Sequence, residues 1–330
     1  MVQGCETPQV EAQLRRAPQV SYRMAQAATV LDEPGTLAVF GFSASGPASA
    51  DPRYLEVALD NFDAPSPLEL WQVDAPVDCG VEGALHWSAG GGWLFAAIEL
   101  DEQAHGGACA SAKLAYESLH HFVATRSEQH VLRVWNYLGA INHGEGDAER
   151  YKRFCEGRAA GMGDFFAEGF PAATAIGHRD SVQRLQVYLL ACDQGGSRVE
   201  NPRQVSAWRY PRQYGRTPPS FARAMILPAN DALAISGTAA VVGHASAHQD
   251  DLDAQLGETL VNLEALLSSA DMSAGFDTRS PLKAYVRHAV DAPRVRAFLR
   301  QRLPGVPVLL LHGDICRSEL LVEIDGWRYA

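Results

Sequence analysis

The order of elements in residues 90–200 returns in residues 230–330, and a duplication of that length limits the fold more than any bulk property does. A strand pattern, Trp93-Leu-Phe-Ala-Ala-Ile-Glu99, matches Ala232-Leu-Ala-Ile-Ser-Gly-Thr238. An amphipathic helix follows each. Ala112, Ala115, Tyr116, Leu119, Phe122 and Val123 share a face in the first copy, and Leu256, Leu260, Leu263, Leu266 and Leu267 in the second, at helical spacing. Next come a strand (131–137; 281–287) and a second helix (150–158; 293–300). Each copy closes on a pair of strands after a proline, read as a hairpin (172–176 with 185–190; 308–311 with 320–324). Any β-α-β-α-β-β chain is somewhat self-similar, but the shared order, the proline and the nearly equal lengths favour a true duplication. The predicted fold is therefore α/β (α+β), with two tandem repeats. The first falls in a domain of residues 1–200, the second in a domain of residues 201–330. Residues 1–75, rich in Pro, Asp and Ala, read as an additional strand-rich element packed on the first repeat.

With 330 residues, 47% of them apolar, the chain can bury a core of its own. Its net charge of −11 argues against nucleic acid or an anionic membrane as partner. An acidic chain that binds an anionic metabolite has to gather its arginines locally. No stretch approaches the ~18 apolar residues of a membrane span, and residues 1–30 lack the basic and apolar regions of a secretory signal. A soluble, cytoplasmic protein is expected. Cys5, Cys79, Cys109, Cys155, Cys192 and Cys316 are scattered without a CxxC, as free thiols of a reducing compartment would be. His244 and His248 stand four apart with no evident third ligand, and no metal is expected. Gly90-Gly-Gly-Trp93 lacks any phosphate-loop continuation and reads as a turn before a strand.

The arginines gather between the repeats. Residues 206–223 hold Arg209, Arg212, Arg216 and Arg223 among Trp208, Tyr210, Tyr214 and Phe221, with no acid. Guanidinium forks pair with carboxylates, and tyrosines add a donor on a flat apolar face, so the segment suits a small cyclic polyanion. The bland alternative is a solvated, Pro-rich linker. In the last strand Leu321 and Glu323 share one face and Val322 and Ile324 the other. A carboxyl so flanked, once buried, is held in its acid form, as a general acid requires; the bland alternative is an outward-facing strand Glu. Aligning the repeats sets Tyr188 of Leu185-Gln-Val-Tyr188 opposite Glu323 of Leu320-Leu-Val-Glu323, so one active site per chain is expected. Cys316 lies seven residues before Glu323, at the turn of the closing hairpin; on its own a lone cysteine reads as inert filler.

Ile235-Ser-Gly-Thr238 and Leu321-Val-Glu-Ile324 resemble the early and terminal strands of the Rid (YjgF-like) family. That likeness implies two tandem Rid-like repeats with a site between them. It also implies either a monomer with pseudo-trimer-like packing or a weak homo-oligomer. More specifically, RYPRQYGRTPPSFARA (209–224), ERYKRFCEGRA (149–159), AISGTAAVVGH (234–244) and ELLVEIDG (319–326) together resemble the chorismatases. The resemblance implies conversion of chorismate to 3-hydroxybenzoate, alone or with 4-hydroxybenzoate, and pyruvate, with no cofactor. It makes Glu323 the general acid. It assigns Tyr151, Arg158, Tyr210, Arg212, Tyr214, Arg216 and Arg223 to the substrate carboxylates. Cys316, expected to carry a lowered pKa, and the small Gly237 mark the aromatising branch. Three other readings share the fold: a hydrolase giving the non-aromatic diol, a fused Rid-type enamine or imine deaminase, and a non-catalytic metabolite-binding protein.

Overall fold

The computed structural model describes all residues except 1–13, 43–48, 64, 180–182 and 273–274. Cys5 lies outside the described residues. The chain opens with β1 (Gln19–Arg23), α1 (Ala27–Leu31), β2 (Thr36–Phe42), β3 (Tyr54–Val57), β4 (Asp60–Asn61) and β5 (Leu68–Gln72), then β6 (Asp78–Glu82) and β7 (Leu85–Gly90). The first repeat runs β8 (Trp93–Asp101), α2 (Ala108–Ala124), β9 (His130–Gly139), α3 (Arg150–Met162), β10 (Ala172–His178) and β11 (Arg184–Cys192). After β12 (Ser197–Val199) and β13 (Ala224–Ile226), the second repeat starts with β14 (Ala232–Thr238) and a small hairpin, β15 (Val241–Val242) and β16 (Ala245–Ser246). It continues as α4 (Leu252–Ser269), β17 (Leu282–Val286), α5 (Ala292–Arg302), β18 (Val308–His312), β19 (Asp314–Ile315) and β20 (Val322–Tyr329).

The duplication is visible in the strand order. One seven-stranded sheet contains β10-β9-β11-β8 and the other β18-β17-β20-β14, the same positions in the same sequence. In each repeat the second and third strands are parallel, and the fourth runs antiparallel to both of its neighbours. Register agrees as well: Tyr188 pairs across with Trp135, and Glu323 with Tyr285, the equivalent positions of the two repeats. The closing strands, however, do not form hairpins. A β-α-β crossover lays the third strand parallel beside the second. The last strand then takes the open slot between the second and the first, where both neighbours run antiparallel to it.

Each sheet is half covered by its helices. α2 buries Ala112, Ala115, Tyr116, Leu119, Phe122 and Val123, and α4 buries Leu256, Leu260, Leu263, Leu266 and Leu267. α3 packs on α2 through glycines, because a Cβ on Gly157 would fall 1.9 Å from the Cys109 carbonyl oxygen. The N-terminal sheet, β1-β5-β2-β3, does not merely lie on the first repeat. From it, Phe40 packs at 4.8 Å on Tyr188, while Trp71 meets Trp135 at 5.2 Å and Trp327 of the second repeat at 5.9 Å. One apolar core thus joins the three larger sheets, and β4 adds a strand to the second repeat. Sequence periodicity gave no sign of this, since it records which face is apolar and not which partner covers it. No helix among the described residues is long and apolar enough to cross a membrane.

Candidate active site

Two departures from regular strand geometry bring the repeats together. The short β19 leaves the second repeat and pairs with β10 of the first, Ile176 against Ile315 and Gly177 against Asp314. Cys316, one residue further on, is thereby delivered to the seam between repeats and does not sit at a hairpin turn. On the other side β14 carries a bulge: Ile235 pairs with Gly326 but Thr238 with Ile324, so three steps on one strand oppose two on its partner. Backbone groups freed by a bulge need other partners. The Gly237 N–H donates to Thr174 Oγ1 of the first repeat at 3.0 Å. Ser236 Oγ accepts from the Ala173 N–H at 2.9 Å and donates to the Ala222 carbonyl at 2.6 Å. The Ser-Gly-Thr sequence therefore rivets β14 to β10.

A cavity of about 240 Å³ opens at this seam. α3 and β10 form one wall, residues 204–223 a second, and β14 with the β19–β20 connector a third. Glu323 projects into it from β20 and is 5% exposed. Its place depends on the bulge, because a Cβ at Gly237 would lie 1.9 Å from Glu323 Oε1. Burial, then the carboxylate of Asp325, push the Glu323 carboxyl up to about 8, against the opposing pull of Arg133, Arg223 and Arg317. It is an acid that keeps its proton at neutral pH.

Of the residues singled out in the sequence, Glu323, Cys316, Tyr151, Arg158, Tyr210, Tyr214, Arg223 and Gly237 all line this one cavity. Arg223 is buried, stacks at 5.1 Å on Phe221, and donates through Nη2 to the Val205 carbonyl at 2.8 Å and to Tyr210 Oη at 2.6 Å. Arg158 is buried over the Tyr116 ring at 5.1 Å. Nε of Arg223, and Nε and Nη2 of Arg158, have no hydrogen-bond acceptor among the described residues. Buried guanidinium N–H groups left open in this way call for anionic oxygens. Tyr151 is raised well above the ordinary range for tyrosine, first by burial and next by Cys155 and Cys316, so it stays a hydroxyl donor.

Arg212 and Arg216 are different. They do not line the cavity; both are largely exposed and pair with Asp147, at 2.6 and 2.9 Å. The acid missing from their own segment comes from the loop before α3. Cys316 also departs from expectation, because burial, and second the neighbouring Glu323, push its thiol up to about 12, where a lowered value was expected. It rests as a neutral thiol. A residue that sequence reasoning missed is Arg317, which lines the cavity, stacks at 4.0 Å on Tyr214 and 5.1 Å on Tyr210, and donates to the His244 carbonyl at 2.9 Å. It stands apart from the arginine-rich segment, and its only sequence signal was adjacency to Cys316. His248, the other histidine of the spaced pair, turns away to Glu258 at 3.0 Å.

Comparison with known proteins bears on this arrangement. A family model described as chorismatase FkbO/Hyg5-like, N-terminal, matches residues 69–191. A 3-hydroxybenzoate synthase from Streptomyces hygroscopicus is 36% identical over 276 residues, covering 78% of this chain and 80% of that protein. A chorismatase from Streptomyces rapamycinicus is 34% identical over 279 residues, covering 78% of this chain and 81% of its own length. A crystal structure of a chorismatase superposes with a TM-score of 0.83 at 29% identity, covering 96% of this chain and all of the other.

Proposed function

This chain belongs to the chorismatase family, and from that premise we propose that it converts chorismate to 3-hydroxybenzoate and pyruvate, with Glu323 as general acid. The observation that carries the assignment of the acid is a buried carboxyl, held protonated at neutral pH, among three cavity-lining arginines. Chorismate is an enol ether, and such ethers resist cleavage until a proton reaches the terminal methylene carbon. Glu323 delivers that proton. The resulting oxocarbenium ion weakens the bond between the ether oxygen and the ring system, and pyruvate departs. Arg158, Arg223 and Arg317 hold the two carboxylates, so the methylene carbon stays in reach of the acid, and the positive charge that develops faces the carboxylate left on Glu323. Chorismate contains the atoms of 3-hydroxybenzoate and pyruvate together, so this route takes up nothing; the diol route would consume one water.

In this scheme Cys316 acts as a thiol. Pyruvate leaves with the electron pair of its bond to the ring, and the neighbouring ring hydroxyl oxygen bonds to the vacated carbon and releases its own. Loss of the hydrogen on that carbon to the Glu323 carboxylate makes the ring aromatic and restores the acid, with the thiol placed to help open the intermediate. The cysteines among the described residues are all free, which fits work in a reducing cytoplasm.

The test is to incubate purified protein and its Glu323→Gln variant with chorismate, assay pyruvate, and resolve ring products by chromatography. Wild-type protein should give equal amounts of pyruvate and 3-hydroxybenzoate. The variant keeps shape and hydrogen bonding without the acid, so kcat should fall by about a thousandfold or more with KM little changed. Activity within severalfold of wild type in that variant sinks the assignment of the acid, and the diol as main product sinks the aromatising reading.

A further inference from the structure

Behind the cavity wall lies a cluster of four charges that no step of the proposed reaction touches. Arg133 on β9, Lys283 on β17, Asp325 on β20 and Glu69 on β5 are each at most 1% exposed. Lys283 Nζ stands 3.0 Å from Glu69 Oε2 and 4.0 Å from Asp325 Oδ1. Asp325 Oδ2 accepts from Arg133 Nη2, Trp135 Nε1 and the Tyr285 hydroxyl, each at 3.0 Å, and from the Thr174 hydroxyl at 2.7 Å. Arg133 and Lys283 are equivalent positions of the two repeats, and the two anions balance them. A buried ion cluster is a weak source of stability, because desolvation offsets the attraction and apolar residues of similar volume often do as well. Its use is to be sought in what it holds.

The cluster reaches the cavity at Thr174. That hydroxyl gives its one hydrogen to Asp325 and accepts from the Gly237 N–H at 3.0 Å and from Arg133 Nη2 at 2.5 Å. Its donor and both lone pairs are engaged, so it is pinned and cannot turn toward a ligand. What it pins is the bulge whose missing side chain leaves room for the Glu323 carboxyl.

We propose that Asp325 is a positioning residue for the general acid: through Thr174 it fixes the Gly237 bulge beside the Glu323 carboxyl, and it sets a carboxylate two residues along the same face of β20. This rests on Glu323 being the acid. The groups bearing on Glu323 from the other elements are Arg133 of β9, Arg223 of the linking segment and Arg317 of the connector, all favouring its ionised form, with the Cys316 thiol and the Tyr151 hydroxyl beside it. Asp325 opposes those arginines. Without it burial alone stands against them, and Glu323 surrenders its proton at lower pH.

The experiment compares pH profiles of kcat/KM on chorismate for wild type, Asp325→Asn and Glu323→Gln. The Asn variant keeps the shape and one carbonyl acceptor but loses the charge. Its alkaline limb should move down by about one pH unit, a roughly fivefold loss of rate at about pH 8 that approaches tenfold above it. A merely structural residue would lower the profile without moving the limb, so an unmoved limb in folded Asp325→Asn overturns the proposal. If that variant does not fold, Thr174→Val should lose about tenfold in kcat with KM within about twofold, and Thr174→Ser should restore it. Wild-type kcat in Thr174→Val overturns the proposal too. Glu323→Gln separates the two ideas: an active Gln variant defeats the acid itself, whereas an inactive one beside an unmoved Asp325→Asn limb defeats only the positioning role.

Discussion

A carboxyl raised to about 8 by burial leaves two signatures in pH, and both have a definite sign. The proposed reaction needs the protonated form, so kcat/KM should be flat below that value and fall tenfold per pH unit above it. Stability moves with the same proton. The folded value lies above the ordinary 4.5, so the unfolded chain ionises first, and folding stability is lost as pH rises from about 4.5 toward about 8. Glu323→Gln removes both dependences, which thermal melts at about pH 5 and about pH 8 would reveal. Arg223 is a contrasting single residue, because its guanidinium lies over the Phe221 ring while, in the function proposed, its charge serves a ligand. Removing one charge-assisted pairing costs about 2–3 kcal/mol, so Arg223→Ala should weaken chorismate binding by about a hundredfold. Isothermal titration of chorismate into Arg223→Ala, made in the Glu323→Gln background, measures this. A double variant that loses its fold yet binds chorismate as tightly as Glu323→Gln in the folded fraction would show the arginine to be structural.

At the scale of elements, the β19–β20 connector is the piece that joins chemistry to topology. It crosses from one sheet to the other and sets Cys316 and Arg317 in the cavity. Cys316→Ala should still release pyruvate, since the proposal gives that step to Glu323, but shift ring product from hydroxybenzoate toward the non-aromatic diol. A chromatogram at matched pyruvate yield checks this; an unchanged hydroxybenzoate fraction reduces Cys316 to packing. The repeats themselves were legible in the sequence because alternation and helical spacing survive in both copies, down to the equivalence of Tyr188 and Glu323. That Glu323, Tyr210 and Arg223 would meet at one cavity was legible because residue type and local pattern agreed. The crossing of β19 was not legible, nor was the bulge at Gly237, since both are settled by hydrogen bonds to β10, which lies far away along the chain. For the same reason Arg212 and Arg216 looked free until Asp147 was seen opposite them. Charge in a segment says that partners are needed, and only the fold says whether a ligand or another side chain supplies them.

Across the whole molecule, the N-terminal sheet decides how many sites the duplication leaves. The position equivalent to Glu323 in the first repeat, Tyr188, lies fully buried against Phe40 and near Trp71. Aromatic side chains from residues before the first repeat fill that place, so the first repeat becomes core there and the proposed acid falls to the second. Trp71 ties this arrangement together, touching Trp135 of one repeat and Trp327 of the other, and its indole N–H donates to Glu69 Oε1 at 2.7 Å. Trp71→Ala should therefore cost about 3–5 kcal/mol, as large aromatic truncations in a core do. Because the core it belongs to is shared, the loss should lower one cooperative transition and not detach one repeat from the other. Thermal unfolding followed by far-ultraviolet circular dichroism and by tryptophan fluorescence tests this. Coincident midpoints, shifted together in the variant, are expected. Two separated transitions in the wild type, with only one of them moved by the substitution, would mean that each repeat holds its own stability and that the central core is a contact between finished domains.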